Sequence, residues 1–316
     1  MISPYRANSM IIRSRPSQLS MRTVVRLLVN PAFWVCLALF ATPLSSVFDF
    51  PEESPSHREE LEQEIAPMFA SSPGHTVFGE YVGAHWFPPC MDSASPSLAN
   101  LKASNPEEFT FVSFFESSSG GWPNDSPIAR MNHIMSASSG YPTFSFADQQ
   151  SGSCYKVGAS GSNYYDADFS SGGCMSSDSS DFNMEMSMSL NSTSEEVTIE
   201  LEVTYSGSQS TVDVYIYGAV TEKVGADAYD NGVRPHHNWR SWLLNGAGTG
   251  FEQTTLFKDV TFEHSWTAPL SSVRAGGGYT QWENFWPVFA LMDGPHTSYN
   301  SFYAALDPEM GPLIDV

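Results

Sequence analysis

Positive charge is scarce in this chain of 316 residues: 14 Lys+Arg stand against 35 Asp+Glu, a formal net charge of -21. A nucleic-acid binder needs a basic surface for phosphate contacts, so that class is excluded. Acidic residues are missing from the first 48 positions, where Arg6, Arg13, Arg15, Arg22 and Arg26 already lie. Residues 49–316 therefore carry a net charge of -26. A basic head and an acidic body suggest a chain handled by a membrane. Cysteine is scarce as well, with four in the chain. There is no Gly-rich phosphate loop and no G-x-S-x-G elbow, and the many serines fall in loops where no Ser/His/Asp triad can be picked out. What is present is apolar: 41% hydrophobic and 13% aromatic residues, enough to exclude global disorder despite the charge.

Residues 27–48 (LLVNPAFWVCLALFATPLSSVF) carry no charge over a length that can cross a bilayer as a helix. With residues 1–26 basic and the acids beyond, the positive-inside rule leaves the N-terminus cytoplasmic and exports the body. A cleaved signal and a retained anchor both fit. Leu39-Phe40-Ala41 has a small residue at one of two expected cleavage positions, and the basic lead is long, which favours the anchor. Cys36 reads as a buried cysteine of an apolar helix. Residues 49–73, acidic and Pro/Ser-rich, read as a linker with a short helix near 59–65.

The next unit, residues 74–179, alternates patterns. Residues 76–82 read as a strand and 89–103 as a helix with Leu98 and Leu101 inward and Pro96 kinking its start. Residues 109–115 (FTFVSFF) form a near-continuous apolar run, as in a central strand covered on both faces. Ser126 and Pro127 suit the start of a helix through Met135. Residues 143–146 form a short strand. The order β-α-β-α-β predicts an α/β sandwich. In residues 180–316, Phe182, Met184, Met186, Met188 and Leu190 alternate with polar residues. A methionine stripe can ligate soft metals, but alternate positions on one strand face predict core. Val197–Tyr205, Val212–Val220, residues 260–266 and 285–292 continue the pattern, and their spacing predicts an antiparallel β-sandwich.

Two motifs carry a resemblance. Trp86-Phe87-Pro88-Pro89-Cys90 follows the first strand and opens a helix, and Gly140-Tyr141-Pro142-Thr143 precedes a strand. These resemble the thioredoxin fold, with its Trp-Cys-x-Pro-Cys site at a helix N-terminus facing a cis-proline. The resemblance implies that Pro142 is cis and faces the site, lined by Trp86, Phe87, Pro89 and Tyr141. Phe87 stands where the nucleophilic cysteine would be, and Cys90 alone remains. A lone resolving cysteine cannot form the internal disulfide that completes a dithiol cycle. A rival register, Cys90-Met91-Asp92-Ser93, would be a monothiol arrangement, but Trp86 and Pro89 fit only the first. With His236-His237-Asn238-Trp239-Arg240, Trp282-Glu283-Asn284 and Val288-Phe289-Ala290, the chain resembles the exported Omp-twenty-eight-related outer-membrane family. That resemblance implies a thioredoxin-like domain followed by a β-rich one.

Cys154 and Cys174 bracket a Gly/Ser/Tyr/Asp-rich stretch, and in an exported chain they are expected to form a disulfide. It would contribute about 3 kcal/mol through loop closure. His236, His237 and Glu252 read as a solvated loop rather than a metal site. Asp166-x-Asp168 and Asp227…Asp230-Asn231-Gly232 offer oxygens to calcium without the twelve-residue ligand spacing. Calcium is thus a minor alternative, and no other cofactor or metal is expected. Asn124-Asp125-Ser126 and Asn191-Ser192-Thr193 are glycosylation sequons, meaningful in a host that glycosylates exported proteins. Trp239, Trp242 and Trp282 mark a carbohydrate- or calcium-binding surface only if exposed, and core packing is the expectation. Together these readings predict an exported, membrane-anchored, non-catalytic module that binds an exported protein partner at the cell surface. The competing expectation is a thiol-disulfide oxidoreductase or isomerase acting through Cys90 and Pro142.

Overall fold

The first strand, β1 (Val77–Ala84), is buried along its whole length, which is why its sequence shows no polar face. The structure is a computed structural model and describes residues 77–116, 128–137, 140–147, 152–170, 181–244, 251–295 and 302–309. The expected membrane segment at 27–48, the linker at 49–73, Ser126, Pro127 and Cys174 lie outside the described residues. Among the described residues no helix is long and apolar enough to cross a membrane.

After β1 the chain makes a π-helical turn (Cys90–Ala94) and runs into α1 (Ser95–Ser104). Pro96 lies at the start of α1, where its missing N–H cannot bond back into the preceding turn, and the widened turn sits directly before it. β2 (Phe109–Glu116), α2 (Ile128–Ile134) and β3 (Thr143–Phe146) follow, giving the expected β-α-β-α-β order. Two further elements, β4 (Tyr155–Val157) and α3 (Asp166–Ser170), lie in the Gly/Ser/Tyr/Asp-rich stretch, where the sequence pattern shows neither. The remaining strands are β5 (Phe182–Asn191), β6 (Glu196–Tyr205), β7 (Thr211–Val224), β8 (His236–Trp242), β9 (Phe251–Phe257), β10 (Thr261–Pro269), β11 (Phe285–Met292) and β12 (Phe302–Leu306). The protein is thus mostly β-sheet with few helices.

Among the described residues, nine strands form one sheet in the order β12-β11-β7-β8-β2-β1-β3-β4, with β9 also paired to β7. β1 and β2 are parallel, while β3 and β4 run antiparallel beyond them. β10, β6 and β5 make a separate three-stranded sheet. The expected boundary at residue 180 is not a break in this architecture. β2 pairs with β8 at Ser113 and Asn238, so strands from both sides of the boundary share the large sheet, and Ala70–Val316 forms one compact unit. The physical reason is that β2 is buried, so the backbone N–H and C=O groups along its outer edge need a strand partner.

Strand parity sorts the core into two faces. Phe78, Val82, Val112, Phe114, Tyr217, Ala219, Val288 and Ala290 lie on one face, where α2 covers them with Met131 and Ile134. The opposite face is divided. Over its N-terminal half, Tyr81, Phe109, Phe111 and Phe115 pack with Leu98 and Leu101 of α1. Over its C-terminal half, Val214, Ile216, Phe289 and Leu291 pack against Met186, Met188, Ile199 and Leu201 of the small sheet. The methionine stripe therefore faces the core, as its period predicts. Full burial of each such leucine or phenylalanine contributes about 1.5–3 kcal/mol. His236 and His237, expected in a solvated loop, instead lie on β8, where His237 is buried and its ring stacks with Trp286. Trp239 is buried as well, and Trp242 and Trp282 are half-buried against the core.

Candidate functional site

The two motifs of the sequence meet at the C-terminal end of β1. Tyr81 points into the core from β1, and a Cβ on Gly83 would lie 2.4 Å from the Tyr81 hydroxyl, so glycine there keeps the ring's path open. The chain turns through His85 and Trp86 and enters the helix at Pro88. The Phe87 carbonyl accepts from the Cys90 N–H at 2.9 Å and from the Met91 N–H at 3.3 Å, which starts the first turn. Trp86 is 47% exposed, and its ring meets the half-buried Phe87 ring edge-on at 5.8 Å.

Cys90 lies beneath this surface with no exposed area. Its sulfur accepts a hydrogen bond from the Ala84 N–H at 3.4 Å and interacts with the Tyr81 hydroxyl. Burial pushes the thiol pKa up, against the opposing pull of those two hydrogen bonds. Three phenols surround it: Tyr81, Tyr165 and Tyr229 all have raised pKa values, with burial the main cause and Cys90 a further one. The Tyr229 and Ser95 hydroxyls are hydrogen-bonded to each other. A reactive thiolate needs exposure and stabilising positive charge. Here the neighbours are phenols and apolar rings.

Pro142 is buried, and the Tyr141–Pro142 peptide is cis, as the motif implies. Its carbonyl accepts from the Gly158 N–H at 2.7 Å, which ties the loop to the end of β4. Tyr141 packs against both the Cys90 cluster and the opposite-face cluster. Its pKa is raised by burial, by a hydrogen bond to Glu116 and by Cys90. The structure therefore gathers Trp86, Phe87, Cys90 and Tyr141 into one region. The sequence did not disclose Tyr165 and Tyr229, which arrive from distant loops.

The other candidate residues are engaged elsewhere. Cys154 is disulfide-bonded, and the expected partner, Cys174, lies outside the described residues. Asp168 pairs with Lys156 at 3.2 Å and Asp227 with Arg274 at 2.7 Å. Asn231 donates to Asp92 at 2.7 Å. Among the described residues no three His, Cys, Asp or Glu side chains are placed to hold a metal ion.

No protein-family model matches the chain. No curated protein matches it either. Among solved structures, the chain is similar to HBP35 of Porphyromonas gingivalis, with 13% identity over 76% of each chain and a TM-score of 0.50. At that identity the likeness concerns the fold alone. A β-glucosidase from Kluyveromyces marxianus matches with a TM-score of 0.20 and 10% identity over 40% of this chain and 14% of that one. A likeness of that size carries no argument about this protein.

Proposed function

We propose that this protein is an exported, membrane-anchored binding module whose N-terminal half is thioredoxin-like and has left redox chemistry. The strand order β2-β1-β3-β4 with β1 and β2 parallel, and a helix opening directly after β1, support the thioredoxin-like reading. The resemblance to the Omp-twenty-eight-related family belongs to the same proposal, as do the anchor at residues 27–48 and an extracytoplasmic body. The partner class is an exported polypeptide, received at the surface formed by Trp86, Phe87 and Tyr141.

One observation carries the non-catalytic reading: Phe87 occupies the nucleophile position, and the remaining Cys90 is fully buried with a raised pKa. Neither group can attack a substrate disulfide at neutral pH. A disulfide-reductase and isomerase assay tests it. No turnover is expected from the intact chain, and Cys90 in the folded protein should stay unlabelled by a thiol probe on the timescale that labels the unfolded chain. Turnover abolished by Cys90→Ser would overturn the reading in favour of a thiol-disulfide enzyme.

A further inference from the structure

The turn joining β5 to β6 carries chemistry that the proposed binding surface does not use. Asn191 closes β5 opposite Glu196, and the six residues 191–196 are all exposed. They include Asn191-Ser192-Thr193, an N-x-Thr sequon without proline at its centre. The Asn191 Oδ1 accepts from the Thr193 N–H at 3.0 Å and from the Ser194 N–H at 3.2 Å. Both bonds fall on the oxygen because only the oxygen can accept. They engage the oxygen of the amide with the turn backbone, and the residue as a whole is exposed. No buried contact depends on the amide nitrogen, Nδ2, so a bulky substituent on it displaces nothing from the core.

We propose that Asn191 is an N-glycosylation acceptor. The inference rests on the export reading, because the donor sugar and its transferase act on chains that cross a membrane. The reaction is a group transfer from a polyprenyl-diphosphate oligosaccharide, catalysed by an oligosaccharyltransferase. A bond forms between Nδ2 and the anomeric carbon of the donor sugar. The bond from that carbon to the diphosphate oxygen breaks, and the diphosphate leaves with the electron pair. One proton passes from Nδ2 to a base of the transferase, and nothing is oxidised or reduced. The Thr193 hydroxyl, exposed two residues on, completes the recognised triplet. The second sequon, at Asn124, lies outside the described residues and serves as an internal comparison.

The test is translation of the full chain with endoplasmic-reticulum microsomes, which supply donor and transferase. It is followed by protease protection, glycosidase treatment and peptide mass spectrometry. The expected result is a protease-protected chain in which Asn191 is converted to aspartate by the glycosidase. Asn191→Gln and Thr193→Val should each remove one glycan step, and Thr193→Ser should retain it. Transfer occurs as the chain emerges, so a variant that later misfolds still reports. A protected chain with Asn191 unmodified, whether or not Asn124 is modified, overturns the proposal and leaves export standing. A chain that is never protected overturns both.

Discussion

At the residue scale, the charges taken out of water are paired. Arg130, on α2, donates from Nε to both Glu80 carboxylate oxygens at 2.9 and 3.1 Å, and neither side chain is more than 1% exposed. The Arg130 guanidinium also lies over the Phe251 ring at 5.2 Å. Removing one partner of such a pair strands a buried charge. Arg130→Met should therefore destabilise by about 3–5 kcal/mol, measured by denaturant unfolding, and adding Glu80→Leu should recover much of the loss. His237 gives a pH signature. Burial, with Lys102, His236 and Lys223 as the further lowering influences, holds its pKa well below the usual histidine value. The unfolded chain binds the proton first as pH falls, so stability is complete above about pH 6.5 and declines below it. The slope should approach 1.4 kcal/mol per pH unit for this group. His237→Asn should flatten it, since asparagine tolerates the residue's positive φ of 50°. Unfolding curves from pH 7.5 to 5.5 check both sign and size.

At the scale of elements, periodicity was a good guide wherever a strand or helix buries one face. Phe182–Leu190 and Val197–Tyr205 were readable because alternate side chains point at the large sheet, whereas β3, which also fell on its predicted residues, is buried at every position. β8 was not readable. His236-His237-Asn238-Trp239-Arg240 looks polar because Asn238 sits opposite Glu222 and next to Ser113, inside the protein, and only tertiary pairing could disclose that. The motif residues Trp86, Phe87, Cys90, Tyr141 and Pro142 were readable from local order. The phenols of Tyr165 and Tyr229 were not, because they reach Cys90 from residues far along the chain. One element-level arrangement works against stability. Glu185, Glu202 and Glu263 stand directly opposite one another across β5, β6 and β10, on the exposed face. Like charges in register repel, so Glu202→Thr should stabilise by about 0.5–1 kcal/mol. The gain should shrink in 1 M salt, where screening already weakens the repulsion. A thermal melt at two salt concentrations decides it.

At the scale of the whole molecule, the two halves expected from sequence share a sheet and an ion-pair network. Lys102 on α1 donates to Asp307, just past β12, at 2.7 Å, and both are buried. Glu309 then bridges Lys102 and Lys223 at 3.3 and 3.0 Å. The tail beyond the last strand is thereby fastened to the helix after the first. Residues 70–180 expressed alone should show no cooperative unfolding transition. They would leave the β2 edge unpaired and Lys102 without its buried partner. Residues 70–316 should melt in a single calorimetric transition. Two resolved transitions would contradict the shared-sheet architecture.

The pairing of Ser113 with Asn238 also sets an order of events in time. β2 is synthesised long before its neighbour β8, and contacts so far apart in sequence form slowly because a long loop must close first. Through that interval β2 is an apolar strand with one bare edge, the kind of segment that recruits other chains. A chain delivered across a membrane in extended form would meet this hazard on the far side, in the span between the arrival of residue 116 and that of residue 242. Biogenesis, more than the finished structure, is the stage at which this edge is open to pairing with another chain.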